Sequence, residues 1–252
     1  VYRMQCWRTG DGQIVRRVLT GRSNAFLVSN GENHVLIDTG HAIGYAQLQK
    51  NLARLRIPQE KLSACILTHA HYDHAENAQR IKAAYATKLI IQQEETGYLS
   101  RGENPMIYGT TRFVRSLTNL LGKRVLARAS YAPAIADRTF DESLDLSPFG
   151  MNAYALHTPG HSAGSASVII AGEIALAGDA LFGVFGNSAF PPFADLPIVL
   201  IESWKKLLDT GCTLFLPAHG GAVTRDVLQR EYEKYHKKAL AHSGGTDQRP
   251  IL

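Results

Sequence analysis

Three cysteines in 252 residues, Cys6, Cys65 and Cys212, are too few and too widely spaced for a disulfide framework or a thiolate metal site. They read as buried thiols. No apolar run reaches the length of about 18 residues that a transmembrane helix needs. Residues 1–10 carry Arg3 and Arg8 where a secretory leader would be apolar. The expectation is a soluble, cytoplasmic protein without a membrane partner. Low-complexity linkers are also missing, which leaves no evident place to divide the chain. With 45% hydrophobic and 19% charged residues, the composition is that of a folded globular protein, and residues 1–252 read as a single domain.

What is present alternates. Ile14–Leu19, Ala25–Val28 and Val35–Ile37 read as a strand meander, with turn signals at Asp11-Gly12, Ser29-Asn30-Gly31 and Thr39-Gly40. Tyr45, Leu48, Leu52 and Leu55 keep helical spacing up to Pro58. A buried strand, Ala64–Leu67, precedes a helix at about 75–85 and a strand at Lys88–Ile91. The alternation lapses over 94–137, where Phe113, Val114, Leu117, Leu120 and Leu121 suggest an inserted helical lid. Strands return at Met151–Leu156, Ala166–Ile170, Ile174–Ala177 and Leu214–Leu216. Helices are expected around the stripes Leu200, Trp204, Leu207, Leu208 and Leu228, Tyr232, Tyr235, Ala239. The two halves repeat one theme, which predicts an α/β fold of two mixed sheets packed face to face with helices outside.

The chemistry concentrates at Thr68-His69-Ala70-His71-Tyr72-Asp73-His74, directly after a predicted strand. In an extended loop, positions i and i+2 point the same way, so His69 and His71 can converge on one ion. Asp73 and His74 fall at the entry to the following helix, displaced enough to serve a second. His161, Asp179 and His219 each follow an apolar strand beside Gly or Pro, a placement that brings ligands to one edge of a sandwich. Each of these alone would be an ordinary polar residue or cap; together they predict metal binding. Imidazole and carboxylate donors suit zinc, and also iron or manganese.

These residues resemble the metallo-β-lactamase superfamily, whose HxHxDH motif is matched by His69, His71, Asp73 and His74, and whose later ligands are matched by His161, Asp179 and His219. The turn Ile37-Asp38-Thr39-Gly40 and the segment Pro217-Ala218-His219-Gly220 are similar to family landmarks in the expected order. The resemblance implies a four-layer αβ/βα sandwich. It also implies two Zn2+ ions, one on His69, His71 and His161, the other on Asp73, His74 and His219, with Asp179 bridging. On that reading, water made acidic by such ions would attack the substrate, and Asp73 would orient it or shuttle its proton. Asp38 reads as structural support behind the site. The Asp at position 73 is similar to the glyoxalase II-like hydrolase branch, although 183–193 lacks the basic residues expected for grasping glutathione. No segment corresponds to the extra domain of nucleic-acid-processing members, so no nucleic-acid partner is expected.

Between Asn104 and Ala136 there is no acidic residue, while Arg112, Arg115, Lys123, Arg124 and Arg128 are all positive. As a lid this segment would attract an anionic small molecule; as a solvated face it would do nothing specific. Tyr72 and Arg112, and Phe182 and Phe185 of an aromatic-rich loop, are candidate substrate contacts. The leading expectation is a dinuclear-metal hydrolase of an ester, thioester or lactone. A mononuclear-iron persulfide dioxygenase is the alternative, and a non-catalytic binding module on the same fold is the third reading.

Overall fold

The structure is a computed structural model that describes residues 4–111, 114–116, 118, 130–186 and 188–242. Period-two alternation along the strands decides which side chains meet. In β3 (Ala25–Ser29) Phe26 and Val28 enter one core and Leu27 another; in β4 (His34–Ile37) Val35 and Ile37 oppose Leu36 in the same way. Both faces are buried, and that is why these strands read as continuous apolar runs.

The first sheet holds β1 (Cys6–Arg8), β2 (Ile14–Leu19), β3, β4, β5 (Leu62–Ile66), β6 (Lys88–Gln92) and β7 (Arg138–Phe140), side by side in chain order. Pairing is antiparallel from β1 to β4 and parallel from β4 to β7. The second sheet holds β8 (Ser143–Asp145), β9 (Ala153–His157), β10 (Ala166–Ile170), β11 (Ile174–Gly183), β12 (Leu214–Gly220) and β13 (Val223–Thr224). Only β11 and β12 run parallel there, joined through the helix Pro197–Asp209.

Phe26, Ile37 and Ile66 of the first sheet pack against Val168, Ile170, Leu176 and Leu216 of the second in a core between the sheets. On the outer face of the first sheet, Leu48 and Leu52 of the helix Tyr45–Arg54 and Ile81 of the helix Ala78–Tyr85 cover Leu36, Cys65 and Leu89. On the outer face of the second, Leu200, Trp204 and Leu207 of Pro197–Asp209 and Leu228 and Tyr235 of Arg225–His242 cover Ile169, Ala175 and Phe215. The layers run helix, sheet, sheet, helix, and each fully buried Leu or Ile side chain contributes roughly 1.5–3 kcal/mol. Among the described residues no helix is long and apolar enough to cross a membrane.

Several elements differ from the sequence expectation, each for a local reason. The helix expected at 75–85 is two pieces, Tyr72–Ala75 and Ala78–Tyr85. Buried Asn77 separates them, its amide donating to the carbonyls of Thr39, Gly40 and His41. β11 extends to Gly183 and β12 to Gly220, because the two strands resume pairing past a bulge, with Phe182 opposite His219. Asp179 and His219 therefore lie inside strands, not beyond their ends. β1, β7, β8 and β13 went unread, being two or three residues long with exposed positions. Cys65 and Cys212 are buried, but Cys6 is exposed, because β1 is an edge strand that shows it to solvent. Of the expected lid, Phe113, Leu117, Leu120 and Leu121, with Arg112, Lys123, Arg124 and Arg128, lie outside the described residues.

Candidate metal centre

The Thr68–His74 segment leaves β5 extended and then turns: His71, at φ −62° and ψ 144°, precedes the helical turn Tyr72–Ala75. His71 thus projects from extended backbone, His69 from the loop that follows β5, and Asp73 and His74 from helix. His161 comes from the loop between β9 and β10, beside Gly160, whose φ of +123° and approach to Leu200 leave no room for a side chain; a Cβ there would stand 2.3 Å from the Leu200 nitrogen. Asp179 follows Gly178, which has φ +52° and sits where a Cβ would be 2.9 Å from Cβ of Thr68.

These segments converge. The ligating atoms of His69, His71 and His161 lie within 4.8 Å of one another, as do those of His69, His74 and Asp179, and those of Asp73, His74 and His219. His161 Nε2 is 2.9 Å from His71 Nδ1. Asp179 stands between the groups: Oδ1 is 3.5 Å from His74 Nε2, and Oδ2 is 3.5 Å from His161 Nε2 and 3.3 Å from His219 Nε2. Asp73 Oδ2 is 3.6 Å from His219 Nε2. All seven residues named from the sequence face this one space.

Their outer hydrogen bonds select the tautomers. His161 Nδ1 donates to the Phe193 carbonyl at 3.0 Å, so its Nε2 carries the lone pair. His74 Nδ1 donates to Asp38 Oδ2 at 2.9 Å. The Thr68 hydroxyl donates to the same Asp38 oxygen at 2.9 Å, which leaves Thr68 Oγ1 to accept from His69 Nδ1 at 3.0 Å. One buried carboxylate thereby turns two imidazoles with Nε2 lone pairs toward the centre.

The residues fit a metal. His69 Nε2, His71 Nε2, His74 Nε2 and Asp179 Oδ1 are buried polar atoms with no hydrogen-bond partner, and each such orphan costs about 1–3 kcal/mol unless something else satisfies it. Burial, together with the neighbouring imidazoles, holds His69 and His71 far below the ordinary histidine range, so both are neutral as ligands must be. Burial also depresses His74, but Asp179, Asp38 and Asp73 outweigh it and push its pKa up to about 10. His219 is raised against the same opposing burial, chiefly by Asp179. Burial would raise Asp179, yet His219, His74 and His161 hold its carboxyl well below the carboxylate range. Two carboxylates among five imidazoles thus form a negative focus that a dication would occupy in place of protons.

A cleft of about 280 Å³ opens over the centre, floored by His71, Asp73, His161, Asp179 and His219 and walled by Ile107, Phe182, Pro191, Pro192 and Phe193. Phe182 lies on the His219 ring at 5.2 Å between centroids. Phe185 is not part of this wall: 57% exposed, it packs on Phe182 at 5.9 Å. Tyr72 lines the cleft, with its backbone N–H donating to Asn104 Oδ1 and the Arg22 guanidinium 5.4 Å above its ring. Arg112 lies outside the described residues. Arg22, unread in the sequence, stands at the rim on the turn between β2 and β3. Ser23 donates to the Asp73 carbonyl and Asn24 to those of Ala218, Pro217 and Gly220, fastening this turn to two ligand segments. No motif signals Arg22; only the fold brings it there.

The model of the metallo-β-lactamase superfamily matches residues 18–226. The probable metallo-hydrolase YqgX of Bacillus subtilis is 26% identical over 175 residues, 66% of this chain and 71% of that protein. The atrochrysone carboxyl ACP thioesterase of Aspergillus terreus is 25% identical over 232 residues, covering 90% of this chain but 58% of its own length. Among solved structures, the metallo-β-lactamase superfamily protein ST1585 of Sulfolobus tokodaii superposes with a TM-score of 0.59 at 20% identity, covering 85% of this chain and 80% of that one. This chain belongs to the metallo-β-lactamase superfamily and is a metal-dependent hydrolase.

Proposed function

We propose that this protein hydrolyses an anionic ester, thioester or lactone at a centre of two zinc ions. The observation that carries it is the ring of orphaned buried donors beneath an open cleft. His69, His71 and His161 would hold one ion, Asp73, His74 and His219 the other, with Asp179 shared. A donor set of nitrogen and oxygen without thiolate suits zinc, and two complete sets favour a pair over a single iron. When bound, such ions supply Lewis acidity and an acidified water at neutral pH.

This chain's residues do the rest. Asp73, partly open to the cleft, orients the attacking water and takes up its proton. Phe182, Ile107 and Phe193 exclude bulk water from one side, and Arg22 at the rim receives the substrate's negative group. The thioesterase relative supports the thioester arm of this reading. The test is metal content of the purified protein, followed by turnover of matched thioesters, lactones and phosphodiesters. Two zinc ions per chain with carboxyl-ester or thioester cleavage, abolished in His71→Ala, is expected; unchanged turnover in that variant would refute it.

A further inference from the structure

Glu95 is 1% exposed and lies at the end of the short turn after β6, outside both ligand motifs. Its carboxylate oxygens accept from donors on opposite halves of the chain. Oε2 takes the Ala70 N–H at 2.9 Å; Oε1 takes the Ser162 hydroxyl at 2.7 Å and the Gly164 N–H at 3.0 Å. Ala70 is the residue between His69 and His71, and Ser162 follows His161. The three histidines that would share the first ion are therefore tied through a single carboxylate. The grip is close: a Cβ on Gly164 would stand 2.6 Å from Glu95 Cγ. Ala70 is held from its other side as well, its carbonyl accepting the Tyr131 hydroxyl at 2.7 Å.

Burying a carboxylate is costly, and among the described residues no lysine or arginine pairs with this one. Three charge-assisted hydrogen bonds offset the cost, and what they purchase is a fixed separation between two loops. The segments bearing Asp73, His74 and His219 are held by other groups: Thr39 and Asp38 on His74, Ser23 on Asp73, and Asn24 on the residues flanking His219.

We infer that Glu95 is a positioning residue for the three-histidine site, setting its metal affinity and geometry while leaving the second site nearly unaffected. The inference rests on the two-ion reading above. It predicts site selectivity, which a general structural role would not produce.

The test titrates Co2+ into the metal-free full-length protein, following the visible absorption bands and the two stepwise affinities by chelator competition. His161→Ala identifies the step belonging to the three-histidine site. Glu95→Gln is expected to weaken that step by about tenfold or more, as loss of an outer-shell partner does, to shift its bands, and to change the other step less than twofold. Ser162→Ala removes one donor without touching the carboxylate, and is expected to weaken the same step by a smaller factor, which covers the case in which Glu95→Gln fails to fold. Equal effects on both steps, or none on either, in these variants would overturn the role given to Glu95. A wild-type protein that takes up only one Co2+ or none would instead overturn the two-ion reading, and the inference with it.

Discussion

Asp38 Oδ2 lies 2.9 Å from His74 Nδ1, and both side chains are almost wholly buried. Asp38 adopts φ +60°, a left-handed conformation that an aspartate tolerates when its side chain is locally bonded. Its other oxygen accepts the Thr68 N–H at 2.8 Å, so one residue supports the strand end and two imidazoles together. Asp38→Ala should lower metal affinity 10- to 100-fold on the usual scale of outer-shell loss. Chelator competition measures this directly; unaltered affinity would show that His74 and His69 orient themselves.

Metal binding should release protons. In the metal-free protein His74 is raised to about 10, so it is protonated at pH 7, and His219 is raised in the same direction. Their folded pKa values exceed the unfolded value, so their contribution to metal-free stability is complete below about pH 6.5 and is lost as pH rises through the folded values, about 10 for His74. His69 and His71 act with the opposite sign: neutral when folded, they cost stability as pH falls below the ordinary histidine value. Calorimetric titration with Zn2+ at pH 7 in two buffers of different ionisation enthalpy should show one to two protons released per pair of ions, and apparent affinity should rise from pH 7 to 9. A buffer-independent heat would contradict this assignment.

Arg22, at the rim of the cleft, offers a handle on substrate class. Arg22→Gln should raise KM for a carboxylate-bearing thioester about tenfold, the scale of one charge-assisted hydrogen bond, and leave kcat and its neutral methyl ester within twofold. Equal losses on both substrates would mean that Arg22 only packs on Tyr72.

Trp204 is fully buried, with its indole N–H donating to the Ala180 carbonyl at 2.6 Å, next to Asp179. Trp204→Ala should destabilise the protein by about 3–5 kcal/mol through lost burial and a cavity. Denaturant titration of the metal-loaded protein would reveal it, and a loss below 1 kcal/mol would mean that the helix re-packs.

Much of the site was legible because ligand chemistry is written in residue types. Histidine and aspartate at short spacing after an apolar run, repeated beside Gly178 and Gly220, have few readings other than coordination. Strands β3 to β6 were legible as apolar runs bounded by turn residues, and the helix Tyr45–Arg54 by its unbroken helical stripe. β7 and β8 were not, since three residues show no period, and neither was the break at Asn77, which exists only because its amide reaches a loop far back in the chain.

The sequence by itself determined which histidines and aspartates stand as candidate ligands, the layered α/β class and the faces that the helices Tyr45–Arg54, Pro197–Asp209 and Arg225–His242 bury, all consequences of local chemistry and periodicity. Only the tertiary structure decided that β11 and β12 keep pairing past a bulge to place Asp179 and His219, that Glu95 and Asp38 brace the imidazoles, and that Arg22 stands at the cleft over the Tyr72 ring. Those are relations between segments far apart in the chain, and hydrogen-bond partners at such separations leave no spacing to be read until the sheets have closed upon each other.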